Sequence, residues 1–171
     1  MASVRQPLRA RCFAASALAA AVRSAVIAPA QAQVRLDDLE QRDGLYYAAG
    51  ASTPYSGTVT DPNSRMTGQL DAGRRAGRWT FHSAAGQVEF VMDYVNGQQV
   101  YSAGWHPNGQ QASEMHFQQG RPHGVRRAWD AQGQLREERP YEDGQPHGTY
   151  RLWDAQGRLL YSAAYEAGQL H

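Results

Sequence analysis

Apolar and polar residues alternate in short runs through the second half of the chain. Val88, Phe90, Met92 and Tyr94 fall at every second position, as do Leu159, Tyr161, Ala163 and Tyr165. Period two places each set on one face of a half-buried strand. Four-residue turns precede such runs: Ser83-Ala-Ala-Gly86, His106-Pro-Asn-Gly109, Asp130-Ala-Gln-Gly133 and Asp154-Ala-Gln-Gly157. Asp first, Pro second and Gly fourth are type I turn preferences, and a glycine there also supplies the left-handed residue of a hairpin bulge. Asn96-Gly97 and Asp143-Gly144 reverse the chain at the other end of each run. The pattern predicts an all-β chain of consecutive hairpins, joined edge to edge in one antiparallel meander.

The first run of each hairpin is less regular. Trp79, Arg126 and Tyr150 stand two positions after an inner glycine, whereas Trp129 and Trp153 stand five after it. Two and five differ in parity. Either a bulge intervenes, or the sheet is partly apolar on both faces.

The hairpins are copies of one another. Middle-turn glycines recur at Gly86, Gly109, Gly133 and Gly157, and outer-turn glycines at Gly73, Gly97, Gly120, Gly144 and Gly168. Inner glycines stand at Gly77, Gly124 and Gly148, with one residue lost near Val100. Two aromatic columns keep step: Tyr94, Phe117, Tyr141 and Tyr165, then Trp105, Trp129 and Trp153, with His82 in the Trp column. A fixed period of about 24 residues is the signature of a repeat architecture. Residues 57–171 carry it, the stretch from Gly57 to Gly73 being a shortened first copy with its tip at Asp61-Pro62-Asn63. Residues 33–56 read as an entry segment and N-terminal cap, with a helical turn near Leu36 and a short strand at Leu45-Tyr-Tyr47.

This combination of spaced glycines, an aromatic residue, a turn ending in Gly and a Tyr before Asn/Asp-Gly resembles the MORN repeat. It looks most like the bacterial variant in proteins labelled YwqK-family antitoxins, over residues 45–171. The resemblance implies a twisted single-layer sheet of stacked hairpins. It also implies an interaction module, linked in eukaryotic relatives to protein partners and membrane lipids, and the antitoxin label implies a toxin partner. The residue lost near Val100, the shortened first repeat and a leader that an intracellular antitoxin would not need depart from the pattern.

The leader is residues 1–32. Arg5, Arg9 and Arg11 form a basic start, an apolar run follows from Cys12 to Val22, and Ala30-Gln31-Ala32 offers a small-x-small cleavage site. The run is shorter than the roughly 20 apolar residues of a membrane-spanning helix. The expectation is a signal peptide cleaved near Ala32 and a periplasmic or secreted product. Cleavage would remove Arg5, Arg9, Arg11 and Arg23 from the 17 arginines, leaving 13 basic residues against 16 acidic ones. It would also remove Cys12, the single cysteine. A weakly acidic chain argues against nucleic acid as a partner, because phosphate binding calls for a basic surface.

Candidate chemistry is sparse. His123 and His147 hold the same repeat position, roughly 10 Å apart if each strand adds about 4.8 Å. Zinc ligands lie about 2 Å from the ion, so the two do not share a metal, and no metal, cofactor or catalytic site is expected. The glycines are all accounted for by turns. What remains is the stripe Trp105, Trp129 and Trp153, with Arg127 and Arg151 two residues before the last two. It is either repeat core or an exposed binding surface, since Trp and Arg are enriched in binding hot spots. The expected function is that of a non-enzymatic, exported module binding a protein partner. The alternatives are an antitoxin or immunity protein, and a glycan- or lipid-headgroup-binding envelope protein.

Overall fold

The computed structural model describes residues 34–171. The chain enters through β1 (Val34–Arg35), a 3-10 turn (Leu36–Asp38), β2 (Leu39–Arg42) and β3 (Leu45–Ala48). The array follows: β4 (Gly57–Asp61), β5 (Met66–Asp71), β6 (Arg74–His82), β7 (Val88–Val95), β8 (Gln98–Trp105) and β9 (Gln111–Gln118). It continues with β10 (Arg121–Pro122), β11 (Gly124–Trp129), β12 (Leu135–Glu142), β13 (Gln145–Pro146), β14 (Gly148–Trp153), β15 (Leu159–Glu166) and β16 (Gln169–Leu170). One sheet of 14 strands runs in the order β1-β4-β5-β6-β7-β8-β9-β11-β12-β14-β15-β16, with β10 on β9 and β13 on β12. Every pairing in it is antiparallel except β1 on β4. This is a MORN-like β-meander, a single open sheet of stacked hairpins.

The turns explain the meander. Each outer turn has two residues in the left-handed region, such as Asn96 (φ 51°) with Gly97 (φ 81°) and Asp143 (φ 48°) with Gly144 (φ 88°). Positive φ at both positions is the type I′ geometry, whose twist matches that of the strands it joins. At the middle turn after Trp129, the Gly133 N–H donates to the Asp130 carbonyl at 2.9 Å, and Gly133 holds φ 79°. A Cβ on Gly133 would also stand 3.3 Å from Gln110 Oε1. A β-branched residue there is a steric outlier. Gly133→Val is therefore expected to lose about 1–3 kcal/mol, the scale of one strained backbone residue, in a urea titration. A midpoint equal to wild type would contradict the turn geometry.

Asp130 and Asp154 hold their turns through their side chains. Asp130 Oδ1 accepts the backbone N–H groups of Gln132 and Gln134, both at 2.9 Å, and Asp154 Oδ1 those of Gln156 and Arg158, at 2.9 and 2.8 Å. The Gln134 N–H above all, helped by Arg136, holds the Asp130 carboxyl below its ordinary 3.8, and the Arg158 N–H does the same for Asp154. A carboxyl with a depressed folded pKa stabilises fully above its unfolded value, and that stabilisation is lost as pH falls through the folded value. The urea midpoint should hold steady down to about pH 5 and then fall below about pH 4. The double substitution Asp130→Ala and Asp154→Ala should flatten that fall; an unchanged acid slope would contradict the assignment.

Each middle turn is followed by a bulge that changes which residues share a face. His82 pairs with Val88 but Phe81 with Phe90, so Glu89 is extra; Ala112, Arg136 and Leu160 are extra in the next three hairpins. The first residue of the strand after the turn is thus carried to the other side. Val88 does not share a face with Phe90, Met92 and Tyr94, nor Leu159 with Tyr161, Ala163 and Tyr165, which corrects the reading from simple alternation. From the inner glycine to the tryptophan, β11 and β14 carry no extra residue, so the parity question resolves there as a sheet partly apolar on both faces. The residue lost near Val100 has a structural counterpart. Strand β8 runs unbroken there with Val100 as an extra residue, whereas later repeats break into β10 and β11, or β13 and β14, at His123 and His147.

One face carries the main core, and the core is at the N-terminal end. Val59, Leu70 and Trp79 are fully buried, with Met66 and Tyr94 nearly so. The entry segment covers them: Leu36, Leu39, Tyr46 and Tyr55 pack against this cluster. It is tied down by Tyr46 N–H to Gly73 O (3.0 Å) and Gly73 N–H to Tyr55 O (2.8 Å). There β2 and β3 form a separate two-stranded sheet. Beyond Met115 no described residue is buried. Among the described residues, the array is therefore layered where it starts and has no second layer where it continues past Met115.

Candidate functional site

The face opposite the core is organised by the tryptophan column. Trp105, Trp129 and Trp153 end β8, β11 and β14, each paired with the first residue of the strand that follows: Gln111, Leu135 and Leu159. All three are half-buried. Trp105 and Trp153 border grooves shared with the preceding hairpin. Trp105 lines an open groove of about 510 Å³ with Val88, Val91 and Arg78, and Trp153 lines one of about 430 Å³ with Leu135 and Gln134. Val91 and Ala103, 3% and 1% exposed, give this face a small apolar floor near Trp105. The His106 ring Nε2 lies 2.9 Å from the Trp129 carbonyl and links adjacent turns.

Arg127 and Arg151 lie on this same face, because β11 and β14 are regular between each arginine and its tryptophan. The structure thus brings the five sequence candidates onto one surface. Arg127 is not a bare cation there. Its guanidinium donates to Glu114 and to Glu138, each at 3.0 Å, and Arg151 approaches Glu138 at 3.9 Å. The bonds to Glu138 first, then to Glu114, raise the Arg127 pKa above its ordinary value. Arg78 makes a two-pronged pair with Asp93, both bonds 2.8 Å, and that pair lowers the Asp93 carboxyl. Between these pairs stands Tyr101, whose hydroxyl pKa is raised by burial and by Glu114. The result is a row of alternating charge running across the strands beside the tryptophans. Exposed ion pairs contribute little to stability, about 0–1 kcal/mol each. Their physical effect here is orientation: they fix the guanidinium planes and leave the indoles as the uncharged part of the face.

The glutamates and Tyr101 belong to the surface but were not among the sequence candidates. Glu114 and Glu138 are one period apart, as are Arg127 and Arg151, so the 24-residue spacing carried the signal. Only the antiparallel register shows that the two columns face each other.

The other face of the same strands differs. Tyr150 contacts Tyr161 and Tyr165, with ring centroids 5.5 and 6.4 Å away, and Arg139 lies over Tyr150 at 4.7 Å. Arg126 pairs with Glu137. Among the described residues, no group of three or more His, Cys, Asp or Glu side chains comes together as a metal site. No described helix is long and apolar enough to cross a membrane.

One comparison with known proteins bears on the class of repeat. The protein family described as MORN repeat variant matches residues 122–143, one period of the array. The same glycine and aromatic columns recur in the periods on either side. Among solved structures, the chain is similar to one titled accessory secretory protein 1,2 and 3 in Streptococcus pneumoniae, with 14% identity and a TM-score of 0.35 over 72% of this chain and 21% of that one. It is also similar to one titled GtfA/B complex, with 16% identity and a TM-score of 0.33 over 77% of this chain and 22% of that one. The chain spans about a fifth of the length of those chains. The curated proteins yield no match.

Proposed function

We propose that this chain is a non-catalytic, exported interaction module and that its tryptophan face receives a protein partner. The observation that carries the reading is the half-buried column Trp105, Trp129 and Trp153 beside a fixed row of Arg and Glu, on a face that no described segment covers. Large aromatics grouped on an open surface mark interaction sites. The alternating charges would set partner orientation, since complementary charge contributes specificity more than raw affinity. Export rests on the basic start, apolar run and Ala30-Gln31-Ala32 of residues 1–32, which lie outside the described residues.

Two experiments test the two halves of this reading. Full-length chain, produced in its own cell and recovered for intact-mass measurement, should begin near Gln33; retention of residues 1–32 on a cytoplasmic product would overturn export. Wild type and Trp129→Ala, used as paired baits against the cell envelope, should differ by one or more captured proteins. Equal capture by both baits, or recovery of glycan or lipid in place of protein, would overturn the protein-binding reading. A captured toxin would narrow the partner to that class.

A further inference from the structure

Most described arginines stand in ion pairs, among them Arg78 on Asp93 and Arg127 on Glu114 and Glu138. Arg74 and Arg75 do not: among the described residues, no carboxylate pairs with either guanidinium. Asp71, which faces Arg74 across the strand pair, accepts the Ser56 hydroxyl instead. Residues 1–33 contain no Asp or Glu, so that segment supplies no counter-ion either.

Both arginines line one pocket of about 320 Å³ at the outer-turn end of the core face. Gln41 and Tyr46 of the entry hairpin form part of its wall, and the Gly73 and Gly97 turns of the array form another part. Arg75 is held there in advance of any ligand. Its guanidinium lies 4.6 Å from the Trp79 ring and 5.5 Å from the Tyr94 ring, and Nη1 donates to the Tyr94 hydroxyl at 3.1 Å. The Trp79 indole is itself fully buried. A guanidinium carries five N–H donors in a flat fork, and the Nε–Nη2 edge of Arg75 donates to no described residue. The Arg74 stem packs along the Gly97 turn, where a Cβ would meet Arg74 Cβ at 3.4 Å and Cδ at 3.6 Å.

We propose that this pocket binds a carboxylate of another molecule, seated on the free edge of Arg75 with Arg74 as the second cation. Charge selects the sign of the ligand. Two like charges brought to one pocket without a counter-ion attract an anion. The supply of donors selects its type. The Gly73 N–H is already given to Tyr55 O at 2.8 Å, and the Gly97 N–H to Arg75 O at 3.0 Å. A phosphate has four oxygens and is typically cradled by free backbone N–H groups, which these two turns do not offer. A carboxylate has two oxygens, and they match the flat edge of a guanidinium. That carboxylate is an acidic side chain, a chain end or a small organic acid, all of which present the same two oxygens. The pocket lies on the core face, so the proposal stands whether or not the tryptophan face binds a partner.

Nitrogen-15 NMR of the full chain tests this, with sodium acetate as the probe and sodium chloride at equal ionic strength as the control. Acetate should shift the Arg75 Nε–H and Trp79 indole N–H signals to saturation, and chloride should leave them in place. Arg74 is exposed, so Arg74→Gln should keep the fold and weaken acetate binding by about threefold or more, the scale of one exposed charge pair. Arg75→Lys keeps the charge without the fork and should abolish saturation. Should Arg75→Lys fail to fold by circular dichroism, Arg74→Gln still decides. A blocked glutamyl tripeptide and an alanyl tripeptide with a free C-terminus then separate the sources. Tighter binding of the first assigns a side chain, of the second a chain end, and of acetate over both a small acid. No saturable acetate shift, acetate binding by Arg74→Gln equal to wild type, or tighter binding of inorganic phosphate than of acetate would overturn the proposal.

Discussion

Trp79→Ala is expected to remove about 3–5 kcal/mol of stability, the usual loss when a fully enclosed indole is truncated. Trp79 has no exposed surface. Its ring lies so close over Gly68 that a Cβ there would stand 2.2 Å from the indole Cδ2. Tyr94 meets it edge-on at a centroid distance of 6.1 Å, Arg75 lies 4.6 Å from the ring, and Nε1–H donates to Gln69 O at 3.2 Å. Truncation would empty the centre of the cluster that the entry segment covers. Gly68→Ala should produce a related loss by pushing the indole from its place. In a repeat array each unit depends mainly on its neighbours, so amide exchange should quicken most in β2 to β6 and least in β14 and β15. A loss below about 1 kcal/mol for Trp79→Ala would contradict its place as the centre of the core.

Trp129→Ala is expected to do the reverse. Its ring is half-buried, so the fold should lose less than half of what Trp79→Ala loses. Binding of the partner should weaken by about 2 kcal/mol or more, the scale of a hot-spot residue, which is roughly 30-fold in dissociation constant. Urea unfolding and a titration against the captured partner read the two effects on one protein. A stability loss equal to that of Trp79→Ala, with binding unchanged, would make the column part of the core. The binding surface would then have to be sought on the opposite face, around Tyr150 and Arg126.

Much of this architecture is legible in the sequence, because a repeat states its period several times. Gly133 and Gly157 mark the middle turns, Asn96-Gly97 and Asp143-Gly144 the outer ones, and the Trp column shares a register position in three hairpins. What the sequence conceals are interactions between segments far apart or out of period. Trp79 stands in a column filled by Arg126 and Tyr150 in later copies, so its role as the core indole depends on the entry segment folding over it. Tyr46 and Tyr55 show no periodicity at all, yet they pack on the core cluster and hold Gly73 through backbone bonds. Val88 and Leu159 mislead by simple alternation, since a single extra residue after the turn reverses the face. At the candidate site, the Trp and Arg columns are legible, but their company is not. Glu114 and Glu138 reach Arg127 across two different strand pairs, and nothing along the chain brings those three residues together.

The tryptophan face of the sheet is proposed to engage a protein. Site-specific photo-crosslinking tests it most directly, with the probe placed in the full chain in its own cell at either of two positions. Thr149 lies on the face of Arg151 and Trp153, and Ala163, which pairs with Tyr150, lies on the other face. A probe at Thr149 is expected to yield a discrete protein adduct, lost when Trp129→Ala is added, and a probe at Ala163 to yield none. An adduct from Ala163 alone would contradict the account, as would one from Thr149 that persists in the Trp129→Ala background.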